Sequence, residues 1–233
     1  MSILAPTPPL VEIAVERLRE DILSGELAPG GKLKIDALQT RYGYSSSPLR
    51  EALNRLTRER LVIADQRRGF RVAPMSFEDF TDITRLRLLL DVQALEQSID
   101  LHDDEWEVRS VAAFYRLQQV ESRLPDGPLV LNSEWSLRHK EFHIALLSGA
   151  TSPRLLDLCS SLFDQAERYR RFTARHRPTA RAKANEHQAI LDAAVAQNPA
   201  DARSLLTAHI LRTQNNLTLI LQQGVTFIKS HTD

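Results

Sequence analysis

Between Ser76 and Gln223 apolar residues recur at spacings of three and four, and proline or glycine clusters cut that pattern into helix-length pieces. The first piece opens on a Ser76-x-x-Asp79 capping signal and runs through Leu86, Leu89, Leu90, Val92, Ala94 and Ile99. The breaks fall at Pro125 to Pro128, Gly149 to Ser152, Arg177-Pro178 and Asn198-Pro199. They predict further helices over about Asp104–Leu124, Ser133–Ser148, Pro153–Arg175, Thr179–Gln197 and Pro199–Gln223. Amphipathic helices joined by short turns bury their apolar stripes against one another, so this part reads as an antiparallel bundle of about six helices without strands. Glycine is scarce, with 8 residues in the chain, which also disfavours an all-β fold and phosphate-cradling glycine loops.

The first 75 residues follow a different plan. Leu10, Ile13, Ala14, Leu18 and Ile22 share one helical face up to Gly25, and a second short helix spans Ile35 to Tyr42 before Gly43. Ser45, Ser46 and Ser47 offer an N-cap to a third helix, Pro48 fits its first turn, and Leu49, Leu53 and Leu56 line its inner face. Leu61–Ala64 and Phe70–Val72 then read as two strands around a basic turn, with Pro74 closing the unit. The expected division is a flexible tail at 1–9, a first domain at 10–74, a second at 76–224 and a C-terminal tail at 225–233.

A helix pair followed by a basic hairpin is a winged helix-turn-helix if the second helix of the pair enters the major groove. With the leucines inside, Ser46, Ser47, Arg50 and Asn54 turn outward, where they can meet phosphates or a guanine edge. Arg67, Arg68 and Gly69 at the hairpin tip are placed to enter the minor groove or grip the backbone. Net charge is zero over the chain, yet residues 41 to 71 hold eight arginines against three acids, as DNA binding requires. The alternative reading of those arginines is a solvated surface.

The segment from Tyr44 to Leu56, with Glu59 to Val62 and Arg68-Gly69-Phe70-Arg71-Val72, resembles the GntR family of bacterial transcription regulators. The match includes the Ser-x-Pro-x-Arg-Glu-Ala-Leu core and the Arg-Gly of the wing. Arg60 stands where the family usually ends the recognition helix with Gly, and Ser46 where some members carry a base-reading Arg. The resemblance implies a homodimer that reads the two half-sites of a palindromic operator, because one module makes few contacts for selective binding.

His139 and His143 share a helix face at i, i+4, which can chelate one ion from successive turns, while His187 and His209 lie in the last two helices. A single helical His is more often a surface or hydrogen-bonded residue than a ligand. Together with Arg87-Leu88-Leu89-Leu90-Asp91, these histidines resemble the all-helical FCD effector-binding domain of FadR-type GntR members. In many such domains one Asp and three His hold a metal. The matching positions here are His139, in place of the Asp, and His143, His187 and His209. Nitrogen ligation suits a divalent ion such as zinc or nickel better than magnesium or calcium. The effector expected there is a small carboxylate held by Arg87, Arg138, Tyr169 or Arg170, arginine being the planar donor that fits it. The pattern also resembles regulators of γ-aminobutyrate and glutarate catabolism, which points to a five-carbon dicarboxylate. Repression relieved by ligand is the expected sign.

Two other classes compete. A zinc-dependent hydrolase could use the His139/His143 pair, but His-Glu-x-x-His enzymes need Glu directly after the first His, whereas Lys140 stands there and Glu141 points about 200° away at about 100° per residue. A helical interaction protein with structural histidines is the other. The single cysteine, Cys159, excludes an intrachain disulfide or multi-thiolate zinc site and fits the cytoplasm. No apolar run reaches membrane-spanning length, and the start lacks the pattern of a signal peptide.

Overall fold

The computed structural model describes residues 9–65, 69–123, 132–176 and 186–227. The expected tips of both tails, Arg67 and Arg68 of the wing, the Pro125–Pro128 turn and the predicted helix start at Thr179 lie outside these residues. The chain divides into two compact units between Met75 and Ser76.

The first unit contains α1 (Leu10–Leu23), β1 (Lys32–Leu33), α2 (Ile35–Tyr42), α3 (Ser46–Arg58), β2 (Val62–Asp65) and β3 (Gly69–Val72). Its core is the inner stripe of α1 and α3: Leu18, Leu49, Ala52, Leu53 and Leu56 are all fully buried. Burying each leucine contributes roughly 1.5–3 kcal/mol, so the apolar spacing sets the rotation of α3 about its axis. Gly43 ends α2 in the left-handed conformation at φ 72°, where a Cβ would be strained.

The wing is a three-stranded antiparallel sheet in the order β1-β3-β2, with Val62 opposite Val72 and Leu33 opposite Phe70. Strand β1 was not expected, because two residues are too short to express an alternation. Val72 nevertheless fixes it: its amide donates to Gly31 O at 2.9 Å and its carbonyl accepts from Gly30 N at 3.1 Å. Arg60, at φ 59°, adopts the left-handed conformation that a glycine would take without strain.

The second unit is all-helical among the described residues: α4 (Phe77–Leu101), α5 (Asp104–Glu121), α6 (Ser133–Leu147), α7 (Pro153–His176), α8 (Glu186–Val195) and α9 (Pro199–Gln222). Local side chains start five of them, Ser152 Oγ accepting from Leu155 N at 3.3 Å ahead of α7. Ser76 Oγ accepts from Asp79 N at 3.0 Å, Asp103 from Trp106 N at 2.5 Å, Asn132 from Trp135 N at 2.8 Å and Asn198 from Asp201 N at 3.2 Å. Each satisfies a backbone donor that the first helical turn leaves open. Trp106, Leu117, Phe142, Leu146, Ile190 and Leu206 fill the core, and Trp106 Nε1 donates to Leu146 O at 3.1 Å. A Cβ on Gly149 would lie 2.8 Å from the backbone of Ser98, so only glycine permits that approach. Among the described residues no helix is long and apolar enough to cross a membrane.

Candidate nucleic-acid interface and metal centre

Helix α3 turns Ser45, Ser46, Ser47, Arg50 and Asn54 to solvent while its leucines face inward. Ser45 occupies the N-cap position, but its side chain makes no capping hydrogen bond. The N-terminal amides of α3 and three exposed hydroxyls therefore share one end of the helix, an arrangement that suits a phosphate. The eight arginines do not act alike. Arg41 pairs with Asp21 at 2.6 Å and Arg55 with Glu12 and Glu51, so internal pairs use part of the positive charge counted in the sequence. Arg50 makes no ion pair among the described residues. Gly69 opens β3 at φ 80° and is exposed.

Inside the bundle, helices α6, α8 and α9 bring His139, His143, His187 and His209 together, with one nitrogen of each within 4.8 Å of the others. His139 Nε2 lies 3.1 Å from both His143 Nε2 and His187 Nε2. An imidazole nitrogen offers one lone pair or one hydrogen, so these two short edges cannot both be ordinary hydrogen bonds of one nitrogen; a shared cation satisfies all three lone pairs at once. Two imidazoles that hold an ion at about 2.1 Å place their nitrogens about 3.0 Å apart at a right angle and about 3.4 Å apart at the tetrahedral angle. The residues therefore fit a divalent metal.

Electrostatics and surroundings agree with that fit. Burial, and then the neighbouring imidazoles, push His139 and His143 well below the ordinary histidine range, which keeps both rings neutral and their lone pairs available. His209 Nδ1 faces Glu186 Oε2 at 3.1 Å and His187 Nδ1 faces Glu121 Oε1 at 3.7 Å. Carboxylates in such positions orient ligand rings and fix which nitrogen is free. Trp135 stacks on His139 with centroids 4.3 Å apart and donates through Nε1 to Glu121 at 3.2 Å. Neither Glu121 nor Glu186 was singled out as a site residue; the adjacency Glu186-His187 was the available signal.

Two of the four residues predicted to hold an effector lie beside this cluster. Phe163 sits 5.3 Å from the rings of both His139 and His143. The guanidinium of Arg170 lies 3.9 Å, and that of Arg87 5.0 Å, from the Phe163 centroid. Both are buried: Arg87 pairs with Asp91 at 2.8 Å and Arg170 with Glu167 at 2.8 Å, while Arg170 Nη1 has no hydrogen-bond partner. Arg171, not anticipated, also binds Glu167, at 3.0 Å. The other two predicted residues require correction. Arg138 is on the solvent side of α6 and pairs with Glu141 at 2.8 Å. Tyr169 is fully buried, and its single hydroxyl hydrogen goes to Asp79 Oδ2 at 2.6 Å, so it has none to donate to an effector.

Comparison with known proteins agrees with the two-unit organisation. Residues 10–72 match the bacterial regulatory proteins of the gntR family, and residues 82–212 match the FCD domain. The uncharacterized HTH-type transcriptional regulator BphR of Paraburkholderia xenovorans (strain LB400) is 38% identical over 93% of this chain and 87% of its own. The HTH-type transcriptional repressor GlaR of Escherichia coli (strain K12) is 35% identical over 83% of this chain and 89% of its own. Among solved structures, a GntR family member from Pseudomonas syringae pv. tomato str. DC3000 aligns with a TM-score of 0.53 at 27% identity, covering 94% of this chain and 90% of the other. Escherichia coli McbR/YncC shares the fold with a TM-score of 0.67 at 20% identity, covering 94% and 100%.

Proposed function

We propose that this chain, which belongs to the GntR family of bacterial regulatory proteins and carries an FCD domain, is a repressor that binds a palindromic operator as a homodimer and releases it on sensing a small organic acid. Membership makes it a DNA-binding transcriptional regulator, and regulation rather than turnover is the business of the family. Such a protein works on DNA in the bacterial cytoplasm. Repression as the sign is supported by the relative GlaR, itself a transcriptional repressor.

One observation carries the sensing part: four imidazoles from three helices converge on a common point inside the bundle. His139, His143, His187 and His209 would hold a divalent ion, zinc or nickel by donor type. An ion that takes six ligands, as nickel does, would supply positive charge and two open positions for a carboxylate, whereas four imidazoles would fill a tetrahedral zinc unless one detached. Neutral imidazoles cancel none of that charge, and the nearby guanidiniums of Arg87, Arg170, Arg171 and Arg212 are balanced by the carboxylates of Asp91, Glu121, Glu167 and Glu186, so the ion's own charge would be the surplus. That surplus favours an anion. Arg170 Nη1, buried and without a hydrogen-bond partner, is the donor for a second carboxylate, which makes a dicarboxylate such as glutarate the fitting class. In the first unit, Ser45, Ser46, Ser47, Arg50 and Asn54, with Arg67, Arg68 and Gly69, contact the operator. Ligand binding shifts operator affinity by the ratio of its affinities for two bundle states.

The test is calorimetry on full-length protein with nickel or zinc, followed by succinate, glutarate and adipate. One ion per chain and metal-dependent binding of a dicarboxylate are expected. The double variant His143→Ala, His187→Ala should weaken metal binding at least about a thousandfold, the equivalent of roughly 4 kcal/mol. Dicarboxylate binding that survives in that variant overturns metal mediation.

A further inference from the structure

Tyr169 is a buried polar residue with no part in the sensing site, and its contacts meet at one place. Its hydroxyl donates to Asp79 Oδ2 at 2.6 Å and accepts from Ser76 N at 3.2 Å. Its ring stacks on Phe80 with centroids 4.5 Å apart. Ser76 in turn caps α4 by accepting from Asp79 N at 3.0 Å. One side chain of α7 thus grips the first turn of α4 through Ser76, Asp79 and Phe80. Three residues, Ala73, Pro74 and Met75, separate Ser76 from Val72 at the end of β3, and Pro74 has no free φ.

The same helix forms a wall of the sensing site. Phe163, Glu167, Arg170 and Arg171 all project from α7, and Arg170 is the immediate neighbour of Tyr169. We infer that Tyr169 is a positioning residue that couples the sensing site to the DNA-reading unit, by fixing Ser76 and Asp79 in one ligand state and releasing them in the other. The inference rests on the reading of the imidazole cluster as a metal and acid site. An anion that draws Arg170 displaces α7, a continuous helix that moves as a body. A displacement of about 1 Å, ordinary for such helices, stretches the 2.6 Å bond to Asp79 beyond hydrogen-bonding reach. Ser76 then loses its acceptor, and the change enters the covalent path to the wing.

The experiment compares wild type with Tyr169→Phe, which keeps the ring on Phe80 and deletes the hydroxyl, and with Asp79→Ala, which removes the acceptor of that hydroxyl. Operator affinity is measured with and without nickel plus glutarate, beside nickel affinity by calorimetry and the exchange rate of the Ser76 amide. Wild type should change operator affinity by at least about tenfold. In Tyr169→Phe nickel affinity should stay within about twofold while the operator response falls below about threefold, and Ser76 should exchange faster with and without the probes. Asp79→Ala carries the test if the tyrosine variant does not fold. An undiminished operator response in the folded variants overturns the inference, even if their melting temperatures drop. A wild type that binds neither nickel nor glutarate overturns the sensing reading and this inference together, whereas responsive wild type with equally responsive variants overturns the inference alone.

Discussion

Arg50 on α3 and His143 on α6 each adjoin a fully buried apolar residue, Leu49 and Phe142, yet Arg50 is exposed and His143 is 3% exposed. The difference separates two kinds of functional residue. Arg50 keeps its hydration in the folded chain, so its availability depends on the rotation of one helix and its charge costs the fold little. His143 lost its water when the bundle closed, and its chemistry depends on partners contributed by other helices. The exposed face of α3 proposed to read DNA should therefore tolerate substitution without loss of stability, while the buried cluster proposed to sense the acid should couple function to stability at nearly every position.

The largest expected break in that contrast is Glu167→Ala. Glu167 holds both Arg170 and Arg171, and all three are buried; removing the acid takes the paired charge from Arg170 and a contact from Arg171, which should cost about 3–5 kcal/mol in urea unfolding. A loss under about 1 kcal/mol would show the network to be screened by water and the contrast false.

On the reading side, Arg50→Ala should lower operator affinity roughly ten- to a hundredfold and leave the unfolding free energy within about 0.5 kcal/mol of wild type. Unchanged operator affinity would count heavily against α3 as the reading helix.

Acid titration sharpens the comparison further. His139 and His143 are held below the ordinary histidine pKa by burial, so below pH 6.5 the unfolded chain binds protons that the folded one refuses. The metal-free protein should be fully stabilised above that value and lose about 1 kcal/mol per histidine between pH 6.5 and 5.5. Chemical denaturation of the metal-free wild type against a His139→Ala, His143→Ala variant measures this, and equal pH slopes would contradict it. The smallest effect belongs to Arg60→Gly: relief of the left-handed backbone at φ 59° should raise stability by about 0.5–1 kcal/mol, most of the strain offset by the added freedom of the unfolded chain. Urea unfolding with unchanged operator affinity is the expected result.

Much of the first unit was legible because its signals are local. Gly43 stops α2 at Tyr42, the leucine spacing orients α3, and the wing strands fall within a residue of their expected positions. The cap of α3 was misread in one respect: Ser45 stands at the N-cap, but its hydroxyl makes no capping bond. In the bundle, Ser76 and Asn198 set helix starts as their sequence contexts indicate. Less legible was the stretch Glu167-Arg168-Tyr169-Arg170-Arg171, whose charges suggest a solvent face; the structure buries all five residues. Glu167 makes that burial possible, because residues three and four positions later lie over it on the same helix. Spacing alone could not say that neighbouring helices would cover the pairs.

The amino-acid order set the helix periods, the caps, the faces that must be apolar and the supply of donors, since each of these acts within a turn or two of backbone. It also made His139 and His143 neighbours. Packing alone brought His187 and His209 to them, buried Arg170 beside Phe163 while leaving Arg138 on the solvent side, and turned Tyr169 toward α4. Such meetings join residues far apart in sequence, and they depend on how whole helices interlock to fill volume, a condition that no local repeat encodes.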